Sequence, residues 1–316
     1  MALAAGTLTD GRKRLEPLVA ALQEALLQRN RQSHSKQADA TRWRVFVAQQ
    51  GKGGLGWWLG VFHSADTVVS ILDATRSQQV PENQYPAKAD GVLLVERYSA
   101  YKAMLPVKNG TLLLAFCWAH VRRDLVRGGK GWPELKPWAL QWLRRMRDRY
   151  RRKRQRRADA ADPAGQEGLR QAVAAMRQQL DAEWADPGLR TPVRKALTSR
   201  QEHGPGLTLF IDDPRIPMDN NLSERRLRGP ALGRKNEYGS GALGSGRLAA
   251  TLFSLLATRK LWEINPQLWL PWYLQSCAEA GSRAPTDIEV FLPWNLSQDR
   301  LAKRCRPSPE QQADTS

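Results

Sequence analysis

Cysteine is scarce in this chain. Cys117, Cys277 and Cys305 are odd in number and widely spaced, which argues against a disulfide framework and fits a reducing compartment such as the cytoplasm. Long apolar runs are missing too. The longest, Leu112 to Ala119, falls far short of the roughly 18 residues a membrane span needs. Charges between Asp10 and Arg14 precede any long apolar stretch, which argues against a signal peptide. Acidic charge is in deficit: 31 Asp and Glu face 49 Lys and Arg, for a net charge of +18 and a pI near 10.4. That surplus exceeds what solubility requires and points to a polyanionic partner. What the chain has in quantity is core-forming material. With 41% apolar residues and 12 Trp, it is a folded basic protein and not a disordered basic tail. Its 316 residues leave room for two or three ordinary domains or one large one.

Leu15, Val19, Leu22 and Leu26 recur at helical spacing and predict a leading helix, which the polar stretch from Arg29 to Gln37 interrupts. From Arg42 the texture changes. Trp43, Val45 and Val47 alternate with Arg42 and Arg44, and the runs Trp57 to Phe62 and Val68 to Leu72 follow across Gly-rich and polar breaks, predicting three strands in hairpin succession. Val92 to Val95 and Leu112 to Phe116 carry no alternation, as strands covered on both faces would. A short helix is expected between them at Ser99 to Met104. Strands joined by helices indicate an α/β mixed sheet flanked by helices. Helices are predicted over Pro137 to Arg157 and along Leu169, Val173, Met176, Leu180 and Trp184. Leu207 to Ile211 reads as extended and leads into the polar turn Asp212 to Asn221. Leu222 to Leu227 and Leu248 to Leu256 read as helical, and the tail beyond Arg306 as disordered.

The most distinctive stretch is Met218-Asp219-Asn220-Asn221-Leu222-Ser223-Glu224-Arg225-Arg226, followed by Leu232-Gly233-Arg234-Lys235-Asn236. It resembles the signature of the insertion-sequence sixty-six family of bacterial DDE transposases. There an Asp-Asn-Asn turn opens a helix carrying a catalytic Glu, and a Gly-Arg-Lys-Asn segment follows. Three more segments agree in order: Ala38-Asp39-Ala40-Thr41 with the first-Asp motif, Glu96-Arg97-Tyr98-Ser99-Ala100-Tyr101 with the second-Asp motif, and Cys117-Trp118-Ala119-His120-Val121-Arg122-Arg123 with a Cys-Trp-Ala-His block. The match runs from about Asp39 to Leu274, and four ordered motifs make it specific where one would be weak.

The resemblance implies a ribonuclease-H-like fold, with Asp39, Glu96 and Glu224 as catalytic residues holding two Mg2+ (or Mn2+) ions for DNA cleavage and strand transfer. The chemistry fits those residue types: two ions about 3.5–4 Å apart activate the nucleophile and stabilise the leaving oxygen, and magnesium takes oxygen ligands while keeping several waters. Each residue also has a blander reading. Glu224, in the first turn of its helix behind Asp219 or an Asn as N-cap, is placed like a capping-box glutamate, and Asp39, ahead of the first strand, like a loop aspartate. Glu96 departs from the family, which has Asp there. The added methylene gives about 1.5 Å of reach, enough to matter where a misplacement near 1 Å costs about a hundredfold. Asp73, Asp90 and Asp219 remain alternative ligands outside the matching motif. Cys117 and His120 have the spacing of half a zinc site without a second pair. On an apolar strand they read better as packing or hydrogen-bonding groups, with His120, Arg122 and Arg123 within reach of phosphate.

Ten of the fourteen residues from Arg144 to Arg157 are basic, with Asp148 alone opposing them. A solvated helix face is the usual meaning of such a run, but one-sided charge of this density favours a DNA-backbone contact. We assign Arg122, Arg123, Arg151, Arg152, Lys153 and Arg154 to DNA, together with a second cluster at Arg225, Arg226, Arg228, Arg234 and Lys235. Trp262, Trp269 and Trp272 read as core. The expected organisation is a leading helix and linker over 1–37, the catalytic domain over 38–125 and 207–276, a helical basic insertion over 126–206, and a C-terminal extension over 277–316. Expected partners are DNA (element ends and target) and further copies of the chain on DNA, with no membrane. The family also has an upstream region for zinc binding and end recognition, and the short stretch before Asp39 leads to the expectation that end recognition is either lost or supplied by a separate end-recognition or accessory protein. The alternatives are a DNA-binding remnant that has lost catalysis through Glu96, and a structural or RNA-binding basic protein.

Overall fold

The computed structural model describes residues 5–47, 55–158, 163–297 and 299–301. The expected disordered tail lies outside the described residues. The fold is α/β, a five-stranded mixed sheet flanked by helices, compatible with the ribonuclease-H-like class. The strands are β1 (Ser35–Arg44), β2 (Gly56–His63), β3 (Val68–Asp73), β4 (Gly91–Val95) and β5 (Leu112–Phe116). By internal contacts the chain forms two compact units, Met1–Ala89 with Ser223–Ser316, and Asp90–Leu222. No helix among the described residues is long and apolar enough to cross a membrane.

In the first unit β1, β2 and β3 form the predicted antiparallel succession, with Asp39 opposite Val61 and Val61 opposite Ser70. The strand begins earlier than its alternation suggests: Lys36, Gln37, Ala38 and Asp39 are all buried, so Asp39 lies within β1 and not ahead of it. At its far end the period of two holds, Trp43 and Val45 inward, Arg42 and Arg44 outward. Trp43, Val45, Trp57, Leu59 and Leu72 form one apolar cluster with Ala250 of the Leu243–Leu261 helix. That helix also satisfies the free edge of β3. Ser254 Oγ accepts from Ser70 N at 2.8 Å, and Thr258 Oγ1 accepts from Val68 N at 2.9 Å while donating to Val68 O at 3.1 Å. An edge whose N–H groups are spoken for is closed to pairing with another chain. The leading helix, Ala5–Gln32, buries Val19, Leu22 and Leu26 and runs on through Arg29, because Asn30 bonds Thr67, Gln84 and Tyr85 in place of a loop. Trp269 is fully buried, stacked on Tyr273 and covered by the Arg259 guanidinium at 3.7 Å, as a core tryptophan should be.

His63 ends β2 almost fully buried, and that burial holds its pKa down to about 4, with the Arg226 charge pushing the same way against a bond to Ser64 O. Its folded pKa lies below the unfolded value near 6.5. The neutral ring therefore contributes stability present above pH 6.5 and lost as pH falls toward 4, on the order of 2–3 kcal/mol by pH 4.5. Urea unfolding at pH 7.5 and 4.5 should show that loss in the parent and a smaller one in His63→Gln; equal losses would remove His63 as the acid-sensitive group.

In the second unit β4 and β5 pair in parallel, Gly91 opposite Leu112 through Val95 opposite Phe116, with the short Ser99–Ala103 helix between them. Leu113 is exposed, so β5 is not covered on both faces along its length. The helical stretch contains Trp118–Gly131, Lys136–Ala158, Pro163–Trp184 and Thr191–Glu202, close to the predicted spans. Leu207 to Ile211 is not extended. It turns through the Gly204–Thr208 helix and a 3-10 turn, and Gly206 there lies so close to Leu114 O and Phe116 that no side chain would fit.

Candidate active site

The site residues of the second unit are assembled by the ends of two strands. Cys117 N donates to Val95 O at 3.1 Å, setting Glu96, the residue after β4, beside the residue that follows β5. The helix Trp118–Gly131 begins at once, so His120 occupies its first turn and not an apolar strand as its neighbours suggested. This brings His120 Nε2 to 2.9 Å from Glu96 Oε1, both side chains largely buried. The His120 pKa rises to about 10, first through its bond with the Cys117 sulfur and next through Glu96, against the cost of burial. The imidazole is therefore cationic at neutral pH and pairs with the glutamate.

The Asp-Asn-Asn turn is clamped to the same place. Trp118 N donates to Met218 O at 2.9 Å and Asn220 N to Cys117 Sγ at 3.1 Å, both Asn220 and Cys117 fully buried. Asp219 accepts from Asn221 N at 3.2 Å, an Asx turn that starts the helix Asn221–Arg226. Tyr150 bonds Asp219 as well; burial, then this carboxylate, raises its pKa. Glu224 sits in the first turn of the helix so begun.

Glu96 and His120 belong to the second unit and Glu224 to the first. A carboxylate oxygen and, once its proton is displaced, an imidazole nitrogen suit a divalent ion, and the nitrogen favours Mn2+ over Mg2+, which prefers oxygen alone. His120 was legible only as a neighbour of the site, since the sequence offers its Cys-x-x-His spacing and nothing about what faces it. Asp39 belongs to the first unit. It lies buried within β1 with Oδ1 accepting from Ala40 N at 2.7 Å. Gln37 and Thr41 share its face of the strand by the period of two. Ser223, next to Glu224, donates to Gln37 Oε1 at 3.4 Å, and Arg234 donates to Thr41 Oγ1 at 3.1 Å and to Arg42 O. Both parts of the most distinctive stretch, at Ser223 and at Arg234, are thereby tied to β1 on either side of Asp39.

The assigned cations fall into two kinds of place. Arg122, Arg123, Arg151, Arg154, Arg225, Arg228 and Lys235 are exposed. Arg152 bonds Asp148 at 2.7 Å. Lys153 is buried, 5.0 Å above the Phe210 ring, and donates to Pro214 O and Ile216 O. Arg149 and Arg156 are buried beside it, Arg156 donating to Ile211 O at 2.6 Å. The basic helix thus has an inner cationic face held by rings and carbonyls, and an outer one open to solvent.

A family model described as Transposase IS66 family matches residues 1–247. Among curated proteins, the uncharacterized protein y4jD of Sinorhizobium fredii is 32% identical over 243 residues, 74% of this chain and 46% of that protein. The uncharacterized protein y4qI of the same organism is 33% identical over 226 residues, 67% of this chain and 40% of that protein. The chain spans less than half the length of these curated relatives.

Proposed function

The chain belongs to the IS66 family of transposases, and from that premise we propose that it catalyses metal-dependent DNA strand cleavage and strand transfer for a bacterial insertion sequence. The observation that carries this reading is the Glu96–His120 pair and its link, through Cys117 and Trp118, to the Asp-Asn-Asn turn. Glu96 and Glu224, with His120 once its proton is displaced, would hold one divalent ion, and Asp39 would complete the set for a second. Such ions supply charge stabilisation at the scissile phosphate and lower the pKa of the attacking oxygen. The chain's own part is placement. The Val95–Cys117 bond fixes the Glu96 backbone, His120 holds its carboxylate, and the Asx turn at Asp219 aims the helix that bears Glu224. DNA is the partner, approached through exposed arginines, with element ends and target engaged by more than one copy.

The test is nicking of a duplex carrying the element's own ends, with manganese, magnesium or chelator present and any end-recognition chain supplied. Manganese should support the fastest nicking and chelator should abolish it. A second reading, a DNA-binding chain without cleavage, is favoured by Glu96 standing where the family resemblance has Asp. Inertness of the parent with every metal, alongside salt-dependent DNA binding, would select it.

A further inference from the structure

The second unit holds a pocket of about 520 Å³ that the reading above does not use, among the helices Lys136–Ala158, Pro163–Trp184 and Thr191–Glu202. Its size falls in the range of about 300–1,000 Å³ typical of small-molecule sites. Val173, Met176, Leu180 and Pro205 make part of its lining apolar. Arg149 and Arg200, 2% and 4% exposed, line it as well. Each guanidinium is stacked on an indole, Arg149 at 4.3 Å over Trp118 and Arg200 at 4.1 Å over Trp142. Stacking occupies the face of a guanidinium and leaves its in-plane N–H groups to find acceptors elsewhere. Here they find none: Nε and Nη2 of Arg149 and both Nη atoms of Arg200 are buried without a protein partner. Leaving a buried donor unsatisfied costs about 1–3 kcal/mol, and the two cations also repel each other. Burial lowers both pKa values to about 9, so both remain charged at neutral pH. Such a pair calls for an anion with several in-plane acceptors, and the apolar part of the lining for a flat apolar body attached to it.

We propose that this pocket binds a nucleoside phosphate, the phosphate oxygens on Arg149 and Arg200 and the base against Val173, Met176 and Leu180. The source is either an unpaired nucleotide of a DNA strand or a free mononucleotide. Only the first rests on the DNA reading given above. Arg170 and Arg177 also line the pocket, each already paired with a carboxylate, the first 3.6 Å from Asp212 and the second 3.0 Å from Asp181.

The test titrates the full chain by calorimetry with dAMP, deoxyadenosine and inorganic phosphate, and with duplexes that differ by one unpaired nucleotide. We expect dAMP to bind with a Kd below about 1 mM, at least about tenfold more tightly than either fragment, since both parts of the lining contribute. Ala174, exposed at the pocket wall, can be enlarged without disturbing the core, and Ala174→Trp should weaken dAMP binding at least about tenfold by filling the space. Arg200→Met should do the same; should that variant fail to fold, Ala174→Trp decides alone. If the parent also prefers the duplex with the unpaired nucleotide and Ala174→Trp does not, the strand is the source; dAMP binding without that preference assigns the free nucleotide. Phosphate binding as tight as dAMP, no dAMP binding, or full binding by Ala174→Trp would each overturn the proposal. Manganese-dependent nicking by the same preparations reports the cleavage reading separately, because Ala174 is remote in sequence from Glu96, His120 and Glu224 and touches none of their roles.

Discussion

Glu224→Gln should reduce manganese-dependent nicking by about a thousandfold or more, equivalent to about 4 kcal/mol of transition-state stabilisation, while DNA affinity changes by less than about twofold. The amide keeps the shape of the carboxylate and its hydrogen-bonding reach, so the helix Asn221–Arg226 and the Asx turn beneath it have no reason to move. What goes is one negative charge among the residues proposed to hold a divalent ion. An amide would hold such an ion far less firmly than a carboxylate, and with it would go the charge stabilisation at the leaving oxygen, worth several kcal/mol in such centres. Glu96→Asp separates two explanations of the family departure. By motif alone, the shorter side chain should restore activity. The 2.9 Å contact with His120 argues the opposite: an aspartate stops about 1.5 Å short of it, releasing both the carboxylate and the imidazole. We therefore expect Glu96→Asp to lose up to about a hundredfold in rate. A gain would mean that the His120 contact holds Glu96 away from its working position. Nicking by Glu224→Gln at the parental rate would end the catalytic assignment outright.

The strands were legible where side chains alternate or run apolar, and illegible where neither holds. β2 through β5 follow from their Val, Leu, Ile and Trp content, whereas the first half of β1 buries Lys36, Gln37 and Asp39, residues that no hydrophobic pattern marks as strand. Asp39 therefore reads as a loop residue in sequence and is a strand residue in the fold. Leu207 to Ile211 fails in the other direction. A short apolar run fits a buried strand or a buried helical turn equally well, and what decides it is Gly206 against Leu114 O, a contact between residues far apart in the chain. For Glu96 and Glu224 the motifs sufficed to nominate the residues. His120 required knowing that a helix starts one residue after Cys117, since only that turn brings its ring back toward Glu96.

The basic helix gives the other large expected effect, and its two faces predict opposite phenotypes. Arg144, Arg147, Arg151 and Arg154 follow one another at spacings of 3, 4 and 3 and are all exposed, forming a stripe along one side of Lys136–Ala158. If each neutralises one phosphate, replacing all four by Ala should lower the slope of log affinity against log salt by about 3 to 4 units. Over a fourfold rise in salt, a slope difference of that size corresponds to roughly a hundredfold in affinity. Sequence alone favours Arg151, Arg152, Lys153 and Arg154 as the set to change, but Lys153 is buried against Phe210 and Arg152 is held by Asp148. Altering those two mixes lost DNA contact with lost packing. The inner face provides the control. Lys153→Gln with Arg156→Gln should lower the melting temperature, because those cations serve Phe210 and the carbonyls of Ile211 and Ile216, and buried groups left without partners are costly. A stripe variant that melts like the parent and binds DNA with an unchanged salt slope would assign the outer arginines to solvent, and would move the search for the DNA track to Arg122, Arg123, Arg225, Arg228 and Lys235.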